Sequence, residues 1–74
     1  METYIYESEE ASTTHSIDHY LDTFFLDLDV WILDKDSWVN YNDDCTIIIE
    51  NNYRITIELT AAENIKVIII KEIL

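Results

Sequence analysis

The sequence predicts an α+β fold: one amphipathic helix packed on a three- to four-stranded antiparallel β-meander, in a single small domain spanning residues 1–74. Three observations predict it. Residues 53–59 alternate without a fault, Tyr53, Ile55, Ile57 and Leu59 against Arg54, Thr56 and Glu58, and a period of two marks a half-buried strand. Ile17, Tyr20, Leu21, Phe24, Phe25 and Leu28 fall at i, i+3, i+4, i+7, i+8 and i+11, the stripe of an amphipathic helix, which Trp31 and Ile32 extend. Seventy-four residues support one domain, and at 49% hydrophobic content the chain is too apolar to stay disordered.

In chain order, Thr3-Tyr4-Ile5-Tyr6 reads as a short strand beside a sheet edge, and Glu7-Ser8-Glu9-Glu10 as the charged turn that ends it. Ser12, Thr13 and Thr14 offer N-caps for the helix that follows. Its end is contested. Asp27 and Asp29 near a helix C-terminus oppose the dipole, and Leu26-Asp27-Leu28-Asp29-Val30 alternates, so a strand beginning near Leu26 competes. A helix running to about Leu33 moves those carboxylates into its interior and keeps Trp31 and Ile32 inward, and this is the reading adopted. Asp34-Lys35-Asp36-Ser37 is a break with N-cap chemistry, Trp38-Val39-Asn40-Tyr41 a short aromatic segment, and Asn42-Asp43-Asp44 a turn.

Three strands of a meander follow, over residues 45–50, 53–59 and 65–73, the flanking two rich in β-branched residues. A three-residue loop at Glu50-Asn51-Asn52 sets Ile49 against Tyr53, Ile47 against Ile55 and Cys45 against Ile57, which keeps one face apolar; Asn supplies the left-handed residue. Pairing Leu59 with Ile65 across a loop at 60–64 aligns Ile57 with Val67 and Ile55 with Ile69, and opposes Glu58 to Lys66. Without Gly or Pro, the turns fall to Asn, Asp and Ser.

Several chemistries are disfavoured. His15 and His19, four apart, share a helix face, but a lone pair of histidines lacks the further ligands of a zinc site. Asp27-x-Asp29 and Asp34-x-Asp36 lack the glycine and closing glutamate of a calcium loop. No nucleophile–His–acid signature or phosphate-binding Gly loop is present, and so small a domain encloses a substrate with difficulty, so neither an enzyme nor a cofactor is expected. No apolar run approaches the ~18 residues of a membrane span, and the N-terminus lacks a basic secretory start. Cys45, on the predicted core face, reads as a small buried hydrophobe and fits a reducing bacterial cytoplasm.

Charge carries the functional signal. Of the net −12, residues 1–44 hold −11 (twelve acids against Lys35), and residues 45–74 hold −1 (four acids against Arg54, Lys66 and Lys71). That sign excludes direct binding of nucleic acid. On the expected helix Asp18, Asp22 and Asp29 line one outer stripe, with no Lys or Arg at i±4 to offset their repulsion. Adjacent turns set such residues ~6 Å apart, the order of DNA's backbone charges at ~3.4 Å per nucleotide. The expected function is a small acidic non-enzymatic inhibitor docking on the basic surface of a nucleic-acid-binding protein, a nuclease or CRISPR effector. Asp18, Asp22, Asp27, Asp29, Asp34 and Asp36 would pair with its Lys and Arg, and Glu7, Glu9 and Glu10 would add a flexible arm. Trp38 and Tyr41 fit either aromatic anchors or core.

In size, charge and its Ile- and Asn-rich, Gly-free make-up, the chain resembles the compact acidic proteins that phages make against host defence, anti-CRISPR proteins and other DNA mimics among them. It matches no motif of theirs, so no residue roles carry over. Two alternatives share the pattern: an immunity or antitoxin protein neutralising a basic toxin, and a structural or regulatory subunit that dimerises through a second sheet face bearing Ile48, Ile68, Ile70 and Leu74.

Overall fold

The computed structural model describes residues 2–72, and among them the fold is all-β, with no α-helix. Seven strands run in order: β1 Thr3–Glu7, β2 Ser12–Asp18, β3 Leu26–Asp34, β4 Ser37–Asn40, β5 Thr46–Ile49, β6 Arg54–Glu63 and β7 Ile65–Lys71, with a 3₁₀ turn at Asn42–Asp44 before β5. All pairings are antiparallel, in a four-stranded sheet ordered β1-β7-β3-β4 and a three-stranded sheet ordered β2-β6-β5.

The expected helix does not form. Its first part is β2, where His15 and Ile17 turn inward while Thr14, Ser16 and Asp18 turn out. Its last part is β3, the competing strand from Leu26, with Val30 and Ile32 buried and Asp27 and Asp29 exposed. Ile17 and Ile32 satisfy both periods, so the stripe fitted a helix by coincidence. The carboxylates decide between them. Period two delivers Asp27 and Asp29 to solvent on one face, whereas a helix would have carried them without cationic neighbours.

The short N-terminal strand is borne out as β1, at the edge beside β7. In the β5–β6 hairpin the face is right and the register is offset by two: Ile49 opposes Ile55 and Ile47 opposes Ile57. No asparagine there is left-handed; the Asn51 side-chain oxygen instead accepts from the Tyr53 and Arg54 amides at 2.8 and 3.0 Å. The second expected hairpin is absent. Thr60 to Glu63 continue β6, and after Asn64 the chain crosses to the other sheet, where Lys66 opposes Glu7 and Trp31 rather than Glu58.

The two isoleucine rows therefore face each other across a sandwich instead of lying side by side. Ile55, Ile57 and Leu59 of β6 pack with Ile65, Val67 and Ile69 of β7, joined by Ile17, Leu21, Val30 and Ile32. Each fully buried aliphatic side chain contributes roughly 1.5–3 kcal/mol. The corner at Asn64 is tied to the four-stranded sheet that the chain enters there. Its carbonyl accepts from the Leu33 amide at 3.0 Å, while Ser8 and Ile65 exchange two bonds of 2.9 Å. Ile73 and Leu74, assigned to the last strand and the dimer face, lie outside the described residues. Ile48 sits on one sheet and Ile68 and Ile70 on the other, so the expected dimer face does not exist as a unit.

The break at residues 34–37 is the two-residue β3–β4 turn rather than a helix start. Lys35 and Asp36 both have positive φ, 49° and 68°, as a type I′ hairpin requires. Left-handed residues other than Gly cost ~1–2 kcal/mol each. Replacing Lys35-Asp36 with Asn-Gly is expected to raise stability by about 1 kcal/mol in denaturant unfolding. Total stability for this length is roughly 4–11 kcal/mol. Ile57→Ala, at a fully buried site, should remove about 2–5 kcal/mol of it, and Ile5→Ala, on the exposed side of β1, no more than about 0.5 kcal/mol. Equal losses would contradict the sandwich.

Candidate functional site

One end of the sandwich gathers the β2–β3 connection, residues 19–25, the β5–β6 turn, residues 50–53, and the chain just after β7. Backbone bonds tie them together: the His19 amide donates to the Tyr53 carbonyl at 2.8 Å, Thr23 to Asn52 at 2.9 Å, and Glu72 to Phe25 at 2.9 Å. The Asn52 amide side chain also donates to the Asp22 carboxylate. Two residues of the connection, Tyr20 and Asp22, take positive φ of 59° and 51°. Between them Leu21 is buried in the core and donates its amide to His19 Nδ1 at 3.0 Å. Driving Leu21 inward in so short a span forces its neighbours into the left-handed region and turns their side chains out.

The result is an aromatic tip. Tyr20 is 72% exposed, Phe24 58%, Phe25 54% and Tyr53 46%. Tyr20 and Tyr53 flank an open groove of about 490 Å³, also lined by Asn51 and the Asp18–Arg54 pair. Next to Phe25, Glu72 lies beside Asp27, and the hydrogen bond between the two carboxyl groups, then the Asp27 charge, hold the Glu72 pKa above its ordinary value. Carboxylates crowded in this way attract a cation.

The expected aspartate ridge does not exist in that form. Asp18 is on the outer face of β2 and takes Arg54 Nε at 2.6 Å and Nη2 at 3.3 Å, a bond that holds its pKa below the usual aspartate range. Asp22 is engaged by Asn52, and Asp29, on the outer face of β3, accepts from Asn42 at 3.4 Å. Asp34 and Asp36 sit at the β3–β4 turn, at the end opposite the tip, where Glu9 and Glu10 occupy the β1–β2 connection. Glu7 belongs to β1 and opposes Lys66, so no acidic arm is formed by these three glutamates. Of the residues expected at an interface, Asp22 and Asp27 reach the tip and Asp18 borders it. Trp38 is exposed on β4 with Lys66 Nζ 6.0 Å from its ring centre, whereas Tyr41 packs half-buried against the core.

The histidines are interior groups rather than ligands. His15 Nε2 lies 3.0 Å from the carbonyls of both Ser12 and Glu63, so it is the protonated nitrogen and pins the irregular start of β2 to the end of β6. His19 is 1% exposed, with Nδ1 accepting and Nε2 buried without a hydrogen-bond partner among the described residues. No three His, Cys, Asp or Glu residues among those described group to hold a metal ion. Cys45 packs half-buried at the margin of the core, its Sγ 3.8 Å from the Asn42 carbonyl.

The helical and strand periods place Tyr20, Phe24, Phe25 and Tyr53 in the core, whereas the structure exposes all four. The signal that could have freed them is the spacing around Leu21: no strand period buries Ile17, His19 and Leu21 and also hides Tyr20 and Phe24.

Burial of His19 holds its pKa below the ordinary 6.5, and the neighbouring Asp18 charge opposes this in part. The folded state then binds fewer protons than the unfolded one, so this contribution to stability is complete above the unfolded pKa and is lost as pH falls through the folded value. Wild type should therefore lose more stability than His19→Gln between about pH 7.5 and about pH 5 in paired denaturant titrations. Parallel curves would contradict it. Comparison with protein-family models, curated proteins and solved structures finds no match.

Proposed function

We propose that the protein is a small acidic non-enzymatic inhibitor that docks, by its aromatic tip, on the basic surface of a nucleic-acid-binding protein such as a nuclease or a CRISPR effector. The observation that carries this reading is the juxtaposition at one end of four exposed aromatic rings and the crowded Asp27–Glu72 carboxyls. Both features favour the same ligand. Ring faces attract Arg and Lys within ~6 Å, and carboxylates pair with the same groups.

The tip also has the anatomy of an interface centre. Aromatic side chains dominate binding energy, with charge at the rim setting approach and specificity. The backbone bonds from residues 19, 23 and 72 support a pre-shaped surface, which lowers the ordering cost of association. The rest of the net −12 acts at longer range, accelerating encounter with a cationic target at low salt.

The test uses a panel of basic bacterial nucleases and CRISPR effector complexes, scored for DNA binding with and without the protein. At least one should lose DNA binding, with an affinity for the protein that falls as salt rises. Phe24→Ala with Phe25→Ala should weaken that affinity at every salt concentration. Asp27→Asn with Glu72→Gln should weaken it and flatten its salt dependence. A target bound equally well by both double variants would overturn the reading.

A further inference from the structure

The edge strand β5 is built unlike the rest of the surface. Thr46-Ile47-Ile48-Ile49 carries no charge in a chain of net −12, and Ile47, Ile48 and Ile49 are 37%, 36% and 46% exposed. β5 pairs with β6 on one side and with no strand among the described residues on the other. Sheet edges are ordinarily protected by Lys, Pro, a bulge or a covering element, because their outward N–H and C=O groups form a template for another strand. None of these protections lies within β5.

The hairpin fixes which groups face outward. The Glu50 amide donates to the Arg54 carbonyl at 3.0 Å, so Glu50 faces β6, and by antiparallel alternation Ile47 and Ile49 direct their N–H and C=O away from it. A second copy related by a two-fold axis through Ile48 meets this pattern. Ile47 of each copy opposes Ile49 of the other as a hydrogen-bonded pair, giving four backbone bonds, and Ile48 opposes itself in the close, non-bonded position. Each isoleucine then meets an isoleucine, and Thr46 meets Glu50, so no like charges face each other. Centring on Ile47 instead would set Ile48 against Thr46, and an odd register would mix the two faces.

The geometry points to β5 as a self-association edge, joining two copies of this chain into a six-stranded antiparallel sheet, β2-β6-β5 continued by β5-β6-β2 of the second copy. The occupant is a second copy because the seam is self-complementary and is the uncharged strip of a strongly acidic protein; a basic partner would find no carboxylate within β5. The seam adjoins the aromatic tip at Glu50 but uses none of its four exposed rings. Its salt dependence is also of opposite sign. Two bodies of like charge repel, so screening strengthens the dimer, whereas screening weakens attachment to a basic target.

Sedimentation equilibrium across a concentration series, at low and at high salt, tests this. Wild type should pass from monomer to dimer mass as concentration rises, at lower concentration in high salt. Ile48→Lys places two cations on the dyad and should weaken association by about tenfold or more. Lowering the net negative charge would otherwise promote association, so a loss identifies the seam. Ile47→Pro removes an outward N–H without changing charge and should act likewise, with a wild-type far-UV spectrum showing that each variant folds. Asp27→Asn with Glu72→Gln should leave the dimer intact, which separates failure here from failure of the proposed target binding. A wild type that stays monomeric in high salt, variants that dimerise like wild type, or growth past the dimer would each overturn the inference.

Discussion

The contact between β6 and β7 governs the architecture. Two consecutive strands, each with one uninterrupted apolar row, could have paired edge to edge, leaving a single sheet with one face needing cover. With no helix to supply that cover, the rows cover each other, and Asn64 becomes a corner where the chain changes sheets. Stacked sheets stand about 10 Å apart, a gap that isoleucine and valine fill from both sides. Charge has no place in that gap. No Asp or Glu is buried among the described residues, so the same packing that makes the core dry concentrates the field outside it.

The absence of glycine shapes what happens where strands end. Among the described residues Tyr20, Asp22, Lys35 and Asp36 adopt left-handed backbone, and none of these is asparagine. At the β3–β4 turn the two strained residues are adjacent and exposed, and the hairpin ladder on either side overdetermines them. In the β2–β3 connection the strained pair straddles Leu21, whose burial holds them in place. Strain kept in place by surrounding structure is common where a surface must be held ready for a ligand. Here it turns Tyr20 toward solvent, where it lines one groove with Tyr53 of the β5–β6 turn.

Much of this was legible in the residues, and the parts that were not share a cause. The apolar face of β6 and the parity of the β5–β6 hairpin follow from period two, because Ile55, Ile57 and Leu59 form one dry row, and β1 lies where the short N-terminal strand is expected. Residues 17–32 carry two periods at once. Ile17 and Ile32 suit either, and a local pattern cannot tell a loop with outward aromatics from a helix with inward ones. The choice belongs to β6, whose pairing with β2 from Asp18–Arg54 up to Ser12–Glu63 rewards an extended Ser12–Asp18. Such long-range pairing outweighs helix periodicity and is invisible to a window of eleven residues. The candidate site is hidden from a local pattern for the same reason: Leu21 is the buried member of its loop, and its burial leaves the neighbouring rings on the surface.

The two inferred surfaces constrain each other through the direction of β5. The tip lies at the end where β5 finishes and β6 begins, and antiparallel pairing across a two-fold axis reverses that end between copies. A dimer formed through Ile48 therefore carries its aromatic tips at opposite ends of one continuous sheet. Such an arrangement cannot close both tips on one flat patch, so it gains no avidity there, and it suits the bridging of two separate cationic bodies. Under the two proposals together, ionic strength would set the balance between a monomer bound to one target and a dimer able to span two, since screening favours the seam and disfavours the tips.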